Sequence, residues 1–239
     1  MAKSQIIKDI ANNTVDLQTA LKRVKVLLQE FDDEKLLEWV NYEIEGYPPD
    51  AEVPEYRKIL GQPYCSYFKG SMMNHITYTD VPMSLGDMPE EQKQEFHYMD
   101  MTQGIGTLKY FVNENKEIGR IIPAEYYPYI AKCNNDLGMI ITSATVKFNM
   151  PDVFNIFPKV ENKLLDILRY LEKQFGSESL DNLDIDLSSK SKEELKEITN
   201  HIYVLIYNDQ SIAIGDKNKI KGSTIVSKIS DGIKKVTKN

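Results

Sequence analysis

The stretch LLEWVNYEIEGYPPDAEVPEYR, residues 36–57, decides how this sequence is interpreted. Its first half repeats apolar residues every three or four positions, which is typical of one buried helix face. Gly46 and the proline pair that begins at Pro48 end this helix, because proline has no N–H and disfavours a helical residue before it. The Tyr56-Arg57 pair then starts a β-favouring segment. We therefore expect a joint between a helix and a strand.

The segments on either side of this joint predict helices before it and strands after it. Three apolar stripes separated by short polar turns cover residues 4–47 and predict a small helical bundle. Two β-favouring segments follow at 57–67 and 75–79, although Pro63 favours an edge or a bent strand for the first. The alternating segment 139–149 predicts a further strand.

That last strand has one face more apolar than the other, and we expect this face to be buried. It carries Ile140, Thr142, Ala144, Val146 and Phe148. Shorter helices are expected at 90–96 and 105–112. The longest helix is expected from Pro151 to about Phe175, with a kink or a true start near Phe157, because Pro158 interrupts its first turns.

The C-terminal quarter changes character. Residues 177–190 are polar, acidic and rich in serine, which is typical of a linker, and Ser191 with Glu194 forms a capping box that begins a helix. The run 201–207 is β-favouring, and 211–214 predicts a second short strand after a turn. A sheet this small is barely stable alone, so it should dock on the body or pair with other copies. The residues expected to make such oligomer contacts are Ile202, Val204, Ile206, Ile212, Ile214 and Ile220.

Together these segments predict an α+β fold. An N-terminal helical bundle packs on a small sheet, followed by a long central helix and a short C-terminal β-hairpin or meander. The expected division is a helical-plus-β domain at 1–176, a linker at 177–190, and a helix plus β element with a basic tail at 191–239.

Composition limits the classes of function. The 239 residues are 41% hydrophobic and 27% charged, with a net charge of −7, and no apolar run approaches the ~20 residues that cross a bilayer. Two widely separated cysteines indicate free thiols in a reducing cytoplasm. Neither the three histidines nor the aspartates near residue 184 have metal-ligand spacing, so no metal or other cofactor is expected.

The net charge hides an asymmetry between the body and the tail. Residues 216–239 carry seven lysines against two aspartates, a net charge of +5, which leaves about −12 for the rest. An acidic body argues against broad nucleic-acid binding. The tail lysines Lys217, Lys219 and Lys221 remain weak candidates for a phosphate contact, although a solvated, solubilising tail is the simpler interpretation.

The ordered set Trp39, Glu43, Gly46, Tyr47, Pro54, Tyr56 and Arg57 has the pattern W-x3-E-x2-G-Y-x6-P-x-Y-R. In this pattern the chain resembles AbiTii-type proteins, a family linked to bacterial abortive infection and phage defence. The resemblance covers residues 1 to about 175. It implies a role in an antiviral system and supplies no set of catalytic residues.

Glu43 and Arg57 are the sharpest candidate pair. In a catalytic interpretation Glu43 is an acid, base or ligand and Arg57 clamps an anion. In a structural interpretation they form an ion pair that ties the third helix to the first strand, with Trp39 and Tyr56 packed around it. We favour the structural interpretation, because helix–strand junctions commonly carry such pairs. The glycines in Gln103-Gly-Ile-Gly106 lack the strand, third glycine and acid of a dinucleotide site.

Three hypotheses for the function follow. The first is a non-enzymatic, cytoplasmic defence component that forms homo-oligomers and contacts a partner protein of the same system. The second is a nuclease or nucleotide-processing toxin that uses Glu43 and Arg57. The third is nucleic-acid binding through the lysine-rich tail.

Overall fold

A computed structural model describes residues 3–71, 73–114 and 117–207. The helices of this part of the chain are α1 (Gln5–Ala11), α2 (Leu17–Gln29), α3 (Glu34–Glu45), α4 (Glu90–His97), α5 (Ile105–Asn113), α6 (Tyr127–Cys133), α7 (Met150–Phe154), α8 (Ile156–Phe175), α9 (Ser177–Asp181) and α10 (Lys192–Tyr207). The strands are β1 (Lys58–Ser71), β2 (Asn74–Pro82), β3 (Tyr98–Asp100), β4 (Ile118–Ile121) and β5 (Met139–Phe148). The predicted α+β class is confirmed. None of the helices in these ranges combines the length and apolarity needed to span a membrane.

Helix α8 is the element around which α1, α2 and α10 pack. Asp33 begins α3 by accepting hydrogen bonds from the backbone N–H groups of Lys35 and Leu36, which satisfies donors that a helix start leaves unpaired. One face of α8 is completely buried and contacts α1, α2 and α10. The helix begins at Ile156, after a break at Asn155 that separates it from α7. The predicted start near Phe157 is therefore confirmed.

The sheet is antiparallel, with strand order β2-β1-β5-β4, and β3 pairs with the first residues of β1. β1 pairs with β5 through residues 61–69 and with β2 through residues 64–71. Of the two alternatives expected for the strand at Pro63, the edge strand is therefore wrong, because β1 lies inside the sheet between β2 and β5. Pro63 is tolerated there because it precedes the first residue that pairs with β2, so its missing N–H removes no bond from that ladder.

A β-bulge changes which residues of β5 face the core. Ser66 pairs with Ser143 and Tyr67 with Ile141, so Thr142 is an extra residue on β5. An extra residue inverts the alternation of side chains beyond it. Ala144, Val146 and Phe148 are buried as predicted, whereas Ile141 is buried and Ile140 is 49% exposed. The prediction that Ile140 and Thr142 lie on the buried face is therefore wrong.

The helices cover one face of the sheet and leave much of the other exposed. The exposed face carries two cross-strand pairs, Leu60 with Tyr98 and Phe68 with Ile140. Leu60, Tyr98 and Ile140 are each about half exposed. One-sided coverage of this kind is common in antiparallel sheets, but the exposed face is then usually polar.

One of the C-terminal predictions requires a correction. The run 201–207 continues α10 instead of forming a strand. In the segment 177–190, which is predicted to be a linker, Leu180 and Ile185 are buried in the same core cluster as the body. The division into domains stays a prediction, and the predicted strand at 211–214 lies outside the described residues.

Candidate functional site

The joint predicted from residues 36–57 is a real meeting point of several elements. Glu43 lies in the last turns of α3, and Gly46 ends that helix with a φ of +112°. Tyr56 and Arg57 lie in a single 3₁₀ turn, Glu55–Arg57, immediately before β1. The turn brings both side chains back against α3.

The Glu43 carboxylate and the Arg57 guanidinium form a bidentate ion pair. Arg57 Nε donates to Glu43 Oε1 at 3.0 Å, and Arg57 Nη2 donates to Glu43 Oε2 at 2.5 Å. Both side chains have no exposed surface. The parallel two-bond geometry is the strongest arrangement between these two groups.

Two tyrosines and the single tryptophan complete the set. The hydroxyls of Tyr47 and Tyr56 both donate to Glu43 Oε1, at 2.6 and 2.8 Å. Trp39 Nε1 donates to the Tyr56 oxygen at 2.9 Å. Glu43 therefore accepts four hydrogen bonds, and this buried network leaves no indole or phenol group unpaired.

Arg57 also binds a segment that the sequence did not connect to the joint. Its Nη1 donates to the backbone carbonyls of Met101 and Gln103, at 2.8 and 2.6 Å. The backbone after α3 runs close to the backbone before α5, since Tyr47 N donates to the Thr102 carbonyl at 2.7 Å. The guanidinium therefore holds α3, the start of β1 and the entry to α5 in one place.

The glycines of this region are explained by that close approach. A Cβ on Gly104 would lie 2.3 Å from the Ile44 carbonyl oxygen, and one on Gly46 would lie 2.9 Å from the Thr102 carbonyl oxygen. Gly104 is one of the two glycines in the motif considered as a dinucleotide site. The absence of a side chain at Gly104 allows α5 to pack closely against α3.

Lys163 on α8 is a second contact that spacing could not reveal. Its Nζ donates to the carbonyls of Leu205 and Ile206, at 3.2 and 2.7 Å, at the end of α10. The same ammonium lies 5.4 Å from the centre of the Tyr56 ring. A cation is favourable at a helix C-terminus, where carbonyls lack partners. The last turn of α10 is thereby attached to the joint.

The electrostatics of the joint suit structure better than proton transfer. Burial and the neighbouring Glu43 carboxylate raise the pKa values of the Tyr47 and Tyr56 hydroxyls well above their usual range. Burial is the largest single effect on the pKa of Arg57 and lowers it, but the attraction and hydrogen bonds of Glu43, together with Tyr47 and Tyr56, outweigh burial, so the net shift is upward. Arg57 stays charged and both tyrosines stay neutral at any physiological pH. A catalytic acid or base needs a pKa near the working pH and access to substrate, and Glu43 and Arg57 have no exposed surface.

The structure therefore joins every member of the predicted structural set. Trp39, Glu43, Tyr47, Tyr56 and Arg57 share one hydrogen-bond network, and Gly46 permits the turn. The alternative catalytic role of Glu43 and Arg57 gains no support, because no substrate reaches either group in this conformation. In the described ranges, no cluster of three or more His, Cys, Asp or Glu side chains is placed to hold a metal ion.

The residues predicted to make oligomer contacts are placed differently. Ile202, Val204 and Ile206 are buried along α10, so they are not free for contact with another chain. Ile212, Ile214 and Ile220 lie outside the described residues, as do Lys217, Lys219 and Lys221.

These observations define an α+β protein in which a sealed ion-pair network joins a helical bundle to an antiparallel sheet. The AbiTii family model matches residues 4–201, so the chain belongs to the AbiTii family. The match extends beyond the predicted limit near residue 175 and includes most of α10, in agreement with the burial of that helix. Neither a search of curated proteins nor one of solved structures found a match. Membership of this family indicates a role in abortive infection, a form of phage defence.

Proposed function

We propose that the chain acts in phage defence as a non-enzymatic, cytoplasmic component that assembles with copies of itself and contacts a partner protein. The observation that carries this proposal is the contrast between two regions. The sharpest catalytic candidates in the sequence, Glu43 and Arg57, are sealed inside the joint. The exposed sheet face, in contrast, is open and carries two apolar cross-strand pairs, Leu60 with Tyr98 and Phe68 with Ile140.

The sealed network supports a structural function for the joint. A working active site leaves a nucleophile, acid or base within reach of a substrate. Here Glu43 Oε1 already accepts three hydrogen bonds, and four of the five N–H donors of Arg57 are bound to protein oxygens. Binding an anion would require Arg57 to give up these partners.

Free thiols support the cytoplasmic location in the proposal. Cys65 and Cys133 are both free, and Cys65 is buried in the core. Burial raises the pKa of the Cys65 thiol, so it remains a neutral, unreactive group. Reduced cysteines are the usual state of cysteine in a cytosolic protein.

The proposal is tested by sedimentation of the purified full-length chain over a range of protein concentrations. Self-association with a defined stoichiometry supports it, and a strict monomer at high concentration contradicts it. A chain that ends at Tyr207 tests the predicted role of the tail isoleucines. Ending the chain at Leu187 would be unsuitable, because it removes the buried face of α10.

The enzyme hypothesis is tested on the same preparation with nucleic acids and nucleotides in the presence of a divalent metal. We expect no turnover. Degradation that is lost in Glu43→Gln and retained in the matched surface variant Glu38→Gln, with both variants folded, would establish the enzyme and overturn the proposal.

A further inference from the structure

β2 lies at one edge of the sheet. It pairs with β1 on one side, and no described strand lies on its other side. All of its residues except Val81 are exposed. In an antiparallel strand, alternate residues direct N–H and C=O groups to opposite sides. Every second residue of β2 therefore presents an unpaired donor and acceptor at this edge.

This edge has little of the protection that natural proteins use. Exposed edges are usually shortened, bulged or blocked by charged residues and proline. The ten residues from Gly70 to Thr79 contain no Asp, Glu, Lys or Arg. The bulge at Asp80 and the proline at Pro82 protect only the far end of the strand. The opposite edge, β4, has four residues, one of which is Arg120.

The hairpin of β1 and β2 also presents apolar side chains beyond the body of the protein. Met73 at its tip is 99% exposed and Ile76 is 64% exposed. Past Lys69, which pairs with Met139 at the end of β5, the hairpin is only two strands wide. Two strands alone are marginally stable in water, so a further strand at this edge would stabilise the hairpin.

We propose that the further strand is β2 of a second copy of this chain, paired antiparallel about a twofold axis at Thr77. The proposal rests on the self-assembly proposed above and names its surface. In this register Ile76 lies opposite Tyr78 of the partner subunit, and by symmetry the contact occurs twice. His75 lies opposite Thr79 of the partner subunit. Pairs of an aromatic and a β-branched residue are favourable across strands, and the contact uses the same patch on both copies, as a twofold interface requires.

Charge favours a second copy at this position over nucleic acid. Each chain carries a net charge of −7, so two copies repel each other least when they meet at a patch without charged residues, and charged residues are depleted at interface cores. A nucleic acid needs cations to neutralise its phosphates. The nearest cation on the hairpin, Lys69, is already paired with Asp136.

Charge variants at the axis test the register directly. Thr77→Lys, or Thr77→Glu, places like charges on directly opposite residues of the two copies, whose Cβ atoms are about 5 Å apart. Thr77 is exposed, so both variants should fold, with far-ultraviolet circular dichroism and a thermal midpoint close to those of the original chain. Thr107→Lys is the matched control, because Thr107 is an exposed threonine on α5 and away from the sheet edge.

Equilibrium sedimentation of the full-length proteins should show a dimer for the original chain and for Thr107→Lys. Each Thr77 variant alone should have a dissociation constant at least about tenfold higher, because like charges that face each other across an interface strongly oppose association. An equimolar mixture of Thr77→Lys and Thr77→Glu should recover the dimer, because opposite charges then meet at the axis.

The other outcomes overturn the proposal in distinguishable ways. If the Thr77 variants dimerise like the original chain, the β2 contact is wrong and self-assembly stands. The β2 contact is also wrong, and self-assembly stands, if the equimolar mixture of the two variants stays monomeric. The same conclusion follows if the Thr77 variants still form dimers and removal of residues 208–239 abolishes dimers. If the original chain is a monomer at all concentrations, both proposals fail.

Discussion

The buried ion pair makes a quantitative prediction about stability. Glu43→Gln leaves the Arg57 charge buried without its counter-charge, and removing one partner of such a pair costs about 3–5 kcal/mol. We expect the lower part of that range, because the glutamine oxygen still accepts from Tyr47 and Tyr56. Arg57→Met should cost more. It also strips the Met101 and Gln103 carbonyls of a donor, at roughly 1 kcal/mol each.

The double variant, which combines Glu43→Gln with Arg57→Met, shows whether the two residues act as a unit. With both charges removed, no uncompensated charge is buried, so its destabilisation should fall short of the sum of the single effects by about 3 kcal/mol or more. Glu38→Gln is the control, since it makes the same chemical change on an exposed position of α3 and should cost under about 0.5 kcal/mol.

Urea denaturation measures these free energies. The fluorescence of Trp39, the only tryptophan in the chain, reports on the joint itself, and far-ultraviolet circular dichroism reports on the whole fold. A cost below about 1 kcal/mol for Glu43→Gln, or additive single effects, would refute the view that the pair is a sealed unit.

Four further predictions concern other parts of the joint. Trp39→Ala should lower the free energy of unfolding by about 3–5 kcal/mol, and a fully stable variant would show that Trp39 does not pack in the core. Gly104→Ala should cost about 1–3 kcal/mol by overpacking, whereas Gly138→Ala, whose added methyl meets no atom closer than 3.7 Å, should be close to neutral in the same urea titration. Lys163→Met should cost about 1–2 kcal/mol, because the end of α10 loses its charged donor, and hydrogen exchange should rise first in that helix. The folded-state pKa of Tyr47 is raised. The stability that its neutral hydroxyl contributes is therefore complete below about pH 10 and declines above it. Between about pH 9 and pH 11 the urea midpoint of Tyr47→Phe should consequently fall less than that of the original chain.

The sequence predicted the joint well because the signals that define the joint lie in neighbouring residues. The stop after α3 depends on Gly46 and the prolines, and the capping of α3 depends on Asp33, whose side chain binds neighbouring N–H groups. Such signals act over a few residues, and they do not depend on the rest of the fold. The membership of Trp39 and Arg57 in one set came from a family pattern, and the structure supplies its physical reason.

The failures came where distant contacts decide the structure. The run 201–207 is rich in β-branched and aromatic residues, which favour strands. Ile198, Ile202 and Ile206 nevertheless recur every four residues, and burying that stripe against α8 and α3 outweighs the local preference. The bulge at Thr142 could not be predicted either, because alternation within β5 contains no sign of how its partner strand is registered.

The carbonyls that bind Arg57 were also beyond the reach of sequence patterns. A backbone carbonyl has no residue type, so the contacts to Met101 and Gln103 left no trace in composition. The one available signal was the glycine at Gly104, which indicates a close backbone approach once a dinucleotide site has been dismissed.

The most direct test of the proposed function measures protection against phage in living cells. The comparison uses cells in which the original chain, expressed with its neighbouring genes, reduces the plaque count. Thr77→Lys and Thr77→Glu should each fail to protect when expressed alone, and co-expression of the two should restore protection. Full protection by either variant alone would contradict a function that depends on assembly through β2.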